Sequence, residues 1–121
     1  MSGYGYTPYR INKIDFPKES FLIAGISFYQ NNLESIQLGS ELIMKYEPDN
    51  KYDSSAIQIL FNDKCIGYVP RNDFFKKLCN ENINSFLRII NIKKDPESNN
   101  YGVRVILDKY YTDELKSIGL F

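Results

Sequence analysis

The chain has 121 residues, 43% of them apolar, with 15 basic side chains set against 15 acidic ones. That suits one domain with one modest core, and zero net charge argues against a broad basic face coating duplex DNA, where affinity is built from many phosphate contacts. No histidine is present, which excludes His-based triads, His general bases and imidazole metal ligands.

A small pocket gripping one end of a strand stays compatible with neutrality, because few cations are needed there. Cys65 and Cys79 are not in CxxC spacing and lie in a strand pattern and a helix pattern. Free buried thiols are therefore expected rather than a disulfide. Met1 to Arg10 lacks the apolar core of a signal peptide, and no apolar run reaches the roughly 20 residues of a membrane span. The expectation is a soluble intracellular protein, with cytoplasm or nucleus left open.

Residues 1–18, with Gly3, Gly5, Pro8 and Pro17, hold no periodicity and read as a lead-in arm to a domain over 19–121. Tyr4, Tyr6 and Tyr9 in that arm either rest on the domain or stack on a ligand. Ser20 to Tyr29 is nearly continuous in apolar residues, as in a strand buried on both faces. Gly25 within it signals a bulge or a close backbone approach. Gln30 to Gly39 is a polar connection. Glu41 to Glu47 alternates, with Leu42, Met44 and Tyr46 on one face. Pro48 ends its ladder.

The next seven residues, Asp49 to Ser55, are rich in turn-forming acceptors. Ala56 to Phe61 and Lys64 to Val69 then read as strands around a hairpin turn at Asn62-Asp63. Gly67 again permits a close approach. Asn72 caps a helix with Phe74, Phe75 and Leu78 on its apolar stripe. Ser85 to Lys94 and Tyr101 to Asp108 are two further strands, and Thr112 caps a short helix over Asp113 to Ile118 with Gly119 after it. Six short strands with hairpin-length connections and two short helices predict a mainly β (α+β) fold, a small antiparallel barrel.

The stretch Glu47-Pro48-Asp49-Asn50-Lys51-Tyr52-Asp53, then Ala56-Ile57, then Ile66-Gly67-Tyr68-Val69-Pro70-Arg71, resembles the signature of the HIRAN domain family. Gly25-Ile26-Ser27-Phe28-Tyr29 fits the family's upstream Gly-x-x-aromatic-Tyr pattern. The resemblance spans roughly Phe21 to Leu107. It implies an OB-like barrel that binds single-stranded DNA, gripping a free 3′-hydroxyl end, without catalysis and without cofactor or metal. The implied setting is DNA repair or replication.

By that resemblance Phe28 stacks on a terminal base, Tyr29 follows it, and Tyr52 belongs to the end pocket. Asp53 accepts from the 3′-hydroxyl, Arg71 meets phosphate, and Tyr101 lies near an aromatic at the start of the last strand. Tyr68 stands where the family's fork-remodelling helicase has a histidine, and Ser27 where it has an arginine. The residues themselves allow plainer roles. Phe28 can be core, Tyr52 can cover the barrel mouth, and Asp53 can be a turn residue as well as a ligand group. Glu47 and Asn50 read as structural, Phe74 and Phe75 as core, and Lys76-Lys77 and Lys93-Lys94 as solvated.

Two other readings compete. The lost arginine at Ser27 and the neutral charge suit a protein-interaction module without DNA binding, whose partner could be a repair or replication protein. Glu47, Asp49 and Asp53 could hold Mg²⁺ as a nuclease, but no basic residue sits in a recognised nuclease motif.

Overall fold

The structure is a computed structural model that describes residues 15–118. Its strands are β1 (Phe21–Leu22), β2 (Glu41–Tyr46), β3 (Ile57–Phe61), β4 (Lys64–Tyr68), β5 (Phe86–Lys94) and β6 (Tyr101–Leu107). Helix α1 spans Asp73–Glu81 and α2 spans Asp113–Ile118, and 3-10 segments cover Ile26–Leu33 and Asp108–Tyr110. The strands form one antiparallel sheet in the order β1-β6-β5-β2-β3-β4.

The sheet curls into a half-barrel. Its two end strands are joined just beyond β1, where Ala24 and Tyr68 exchange backbone hydrogen bonds of 2.8 and 2.9 Å. Curling satisfies edge groups that an open sheet would leave unpaired. Gly67 makes the crossing feasible. A Cβ there would lie 2.3 Å from Ile23 Cγ2 and 2.6 Å from the Ala24 carbonyl oxygen, and its φ is +150°. The hairpin between β3 and β4 turns on Asn62 and Asp63, both with positive φ, the pairing of conformations that matches strand twist in a two-residue loop.

Alternation along the strands fills the concave side. Leu42, Ile57, Ile59, Leu87, Ile89, Val103, Val105 and Leu107 are buried there. Helix α1 closes one side of this core through Cys79, Leu78 and Phe75, whose ring packs 5.1 Å from that of Phe21. A register shift around Ile90 interrupts the β5–β6 ladder. Ile90 and Ile106 form a second, smaller cluster with Leu115 of α2. Arg88 bonds to Asp108 (2.7 Å), Glu41 (2.9 Å) and the Gly39 carbonyl (3.1 Å), tying β2, β5 and the chain after β6 together.

Two expectations need correction. The apolar run from Ser20 does not continue as a strand to Tyr29. Gly25 adopts a left-handed φ of 70° and turns the chain into the 3-10 segment, whose Ile26 and Leu33 pack on the core. Tyr46 shares the face of Leu42 and Met44 as expected, standing opposite Ile57 as Met44 stands opposite Ile59. It is exposed, and its hydroxyl donates to the Asn80 side-chain oxygen of α1. Phe74 is half-exposed, set edge-on to the more buried Phe75.

Both cysteines are free, and burial pushes the Cys79 thiol up to about 12. Of the lead-in, Phe16 packs on the outer cluster beneath the Arg104 guanidinium. Tyr4, Tyr6, Tyr9 and Gly119 lie outside the described residues.

Candidate nucleic-acid interface

A cleft of about 400 Å³ opens where the 3-10 segment faces the loop after β2. Gly25 starts one wall, its carbonyl accepting from the Phe28 N–H at 3.1 Å. The backbone kinks at Tyr29, with a non-helical φ of −127°, so Phe28 and Tyr29 take different surroundings. Phe28 is 86% exposed, while Tyr29 is half-buried with its ring centroid 6.3 Å from that of Tyr68. Two side chains pin this segment to the sheet. Gln30 exchanges hydrogen bonds with the Tyr101 backbone (2.8 and 3.0 Å), and Asn32 donates to the Cys65 carbonyl at 2.8 Å.

The opposite wall is the acceptor-rich loop, and Asn50 organises it. Its side-chain oxygen accepts from the Tyr52 and Asp53 N–H groups (2.9 and 3.0 Å), and its amide donates to Glu47 Oε1 at 2.7 Å. The same Glu47 oxygen accepts from the Tyr68 hydroxyl at 2.8 Å. Burial first, then hydrogen bonding with Tyr29 and Glu47, pushes the Tyr68 phenol well above its ordinary range. A neutral Tyr68 therefore forms the floor. The turn leaves Tyr52 projecting, 83% exposed.

Asp53 lines the cleft and is heavily engaged. Its Oδ1 accepts from the Ser55 N–H (2.9 Å) and hydroxyl (2.7 Å). Its Oδ2 accepts from the Lys76 ammonium, with Arg71 Nε at 3.9 Å. Lys76 first, then Ser55, holds this carboxyl well below the usual carboxylate range. Two donors occupy Oδ1, whereas Oδ2 keeps one lone-pair direction for a further donor. Arg71 is two-thirds exposed and donates to the Tyr52 carbonyl at 3.2 Å, leaving other guanidinium N–H groups free to turn into the cleft.

The fold thus gathers Phe28, Tyr29, Tyr52, Asp53, Tyr68 and Arg71 around one cleft. Tyr101 is elsewhere. It lines a second cleft with Leu33, Ile36 and Ile92 on the far side of the 3-10 segment, with the Lys94 ammonium 5.8 Å from its ring. Ser27 is exposed beside Phe28. Glu47 and Asp53 face hydroxyl, amide and ammonium donors rather than each other. Among the described residues no three metal-ligating side chains group together.

Sequence reasoning missed Lys76, which it placed in solvent. The usable signal was the Asn72 cap, whose side chain accepts from the Phe75 N–H at 3.2 Å. It sets Lys76 in the first turn of α1, where side chains lean back toward the helix start and hence toward the loop.

The HIRAN domain family matches residues 20–109. The chain belongs to the HIRAN domain family. HIRAN domains are nucleic-acid-binding domains, binding modules rather than catalytic ones. No curated protein matches this HIRAN chain. A crystal structure of a protein from Lactobacillus plantarum is similar in fold, with a TM-score of 0.52 and 19% identity over 74% of this chain and 88% of that one. No helix among the described residues is long and apolar enough to cross a membrane.

Proposed function

We propose that this HIRAN domain binds single-stranded DNA at its free 3′-hydroxyl end, as a non-catalytic module in DNA repair or replication. The observation that carries the reading is the pair of rings at Phe28 and Tyr52, 86% and 83% exposed on one cleft. Large aromatic surfaces left in water facing one hollow suit a stacking platform, and stacking on any base is worth about 1–3 kcal/mol. Tyr29 and Tyr68 supply the floor. Arg71 supplies a fork for a backbone phosphate. The remaining lone pair of Asp53 Oδ2 accepts the terminal hydroxyl.

Fluorescence anisotropy with short strands ending in 3′-hydroxyl or 3′-phosphate, and with a circular strand of the same sequence, tests it. The hydroxyl-ended strand is expected to bind most tightly, and Tyr52→Ala to weaken it by about tenfold or more. Equal affinity for all three, or binding indifferent to Tyr52→Ala, overturns the reading.

A second reading rests on the convex face. Phe86, Ile43, Leu60 and Cys65 are consecutive cross-strand neighbours there, and Ile43 and Phe86 are 49% and 42% exposed. A protein-interaction module would use that row. Partner binding lost in Ile43→Lys and kept in Tyr52→Ala, with no DNA binding, would favour it.

A further inference from the structure

Asp53 separates the aromatic cleft from a smaller polar hollow lined by Tyr52, Asp53, Ser55, Arg71, Asp73 and Lys76. Lys76 is unusual for a lysine on a short amphipathic helix, because its side chain is only 21% exposed. Its ammonium meets Asp53 Oδ2, the Ser55 hydroxyl at 2.9 Å and the Ser55 carbonyl at 3.2 Å. Three acceptors match the three N–H donors of an ammonium. A surface lysine gains little from one exposed ion pair against the entropy of holding a long side chain. Three partners drawn from one loop define a seat for it.

The charge around the hollow follows from this seat. Asp53 and Asp73 are negative, and Arg71 and Lys76 are positive, so the four formal charges cancel. Without Lys76 the same groups leave one net negative charge beside the position where a strand end would sit. A terminal phosphate carries more negative charge than a hydroxyl, and a carboxylate without a compensating cation repels it.

We propose that Lys76 is a specificity-determining residue of the cleft. By compensating Asp53, it lets the carboxylate accept a 3′-hydroxyl while a 3′-phosphate is tolerated, with its extra charge directed toward the Arg71–Lys76 side of the hollow. This rests on the reading of the cleft as a DNA-end site. It goes beyond that reading by naming the residue that limits discrimination between the two ends.

The test is anisotropy at low salt with 3′-hydroxyl and 3′-phosphate strands, on the wild type, Lys76→Met, Lys76→Gln and Lys76→Arg, with folding checked by circular dichroism. The wild type is expected to favour the hydroxyl end by less than about tenfold. Neutralising Lys76 is expected to widen that preference a further five- to tenfold, the size of one unit charge about 3–4 Å away at the dielectric of bulk water. The widening should shrink at high salt, and Lys76→Arg should keep the wild-type ratio. An unchanged ratio in Lys76→Met and Lys76→Gln, or an equal fall for both ends, overturns the proposal and leaves end binding standing. A wild-type preference well above tenfold also overturns it, with no variant needed. No binding by the wild type overturns this proposal and the DNA-end reading together.

Discussion

Lys76 first, and then the Ser55 hydroxyl and N–H, hold the Asp53 carboxyl well below the usual carboxylate range. A carboxylate whose pKa falls on folding stabilises the native state above its unfolded value of about 4, and that contribution fades as pH drops through the folded value. Thermal unfolding followed from pH 7 to pH 2 should therefore show a smaller acid-induced fall in Tm for Asp53→Asn than for the wild type. Parallel curves would show that Asp53 is not coupled to folding. Gly67 makes a sharper prediction. A methyl there meets Ile23 and the Ala24 carbonyl inside contact distance on a backbone that L residues rarely adopt. Gly67→Ala should cost about 2–4 kcal/mol in denaturant unfolding. Retained stability would mean that the Ala24–Tyr68 crossing is loose.

Among the elements, α2 packs through Leu115 on the outer cluster rather than on the concave core. Leu115, 8% exposed, joins Ile90 and Ile106 there. Leu115→Ala should lower hydrogen-exchange protection in α2 and at the exposed edge of that cluster, while the core strands keep theirs. A matched core truncation, Ile59→Ala, should instead destabilise the whole domain by about 2–5 kcal/mol. Equal global losses from the two would show that the clusters act as one. The 3-10 segment shows the limit of pattern reading at this scale. Its residues through Tyr29 look like part of a doubly buried strand, yet only Ile26 and Leu33 of the segment reach the core while Phe28 faces water. An apolar run reports the wish to bury area, and periodicity alone does not say which wall receives it.

For the molecule as a whole, neutrality limits how DNA can be held. Single-strand binding loses about 0.7 in slope of log affinity against log salt for each phosphate neutralised. With Arg71 the exposed cation on the cleft and Lys76 committed to Asp53, the slope should be shallower than about −2. A slope of −4 or steeper would place the strand along Lys93 and Lys94 or another basic track.

Several features were determined by sequence alone. The bounds of β2 to β6 and of both helices lie within about two residues of what alternation, caps and turn residues indicate, because those signals are local. The loop from Glu47 to Asp53 was legible as a shaped turn because Asn50 and its acceptors act on backbone groups within three residues. Membership in the HIRAN family was legible for a related reason: the spaced residues of the pattern, Phe28-Tyr29, Tyr52-Asp53 and Tyr68 to Arg71, include the lining of both cleft walls. What the tertiary structure decided are the pairings across long stretches of chain. It set Phe28 in water, moved Tyr101 to a second cleft, joined Tyr68 to Glu47 and seated Lys76 on Asp53. Each depends on how tightly the curled sheet closes at Gly67 and where α1 comes to rest, and distances between strands separated in sequence are not written in any local pattern.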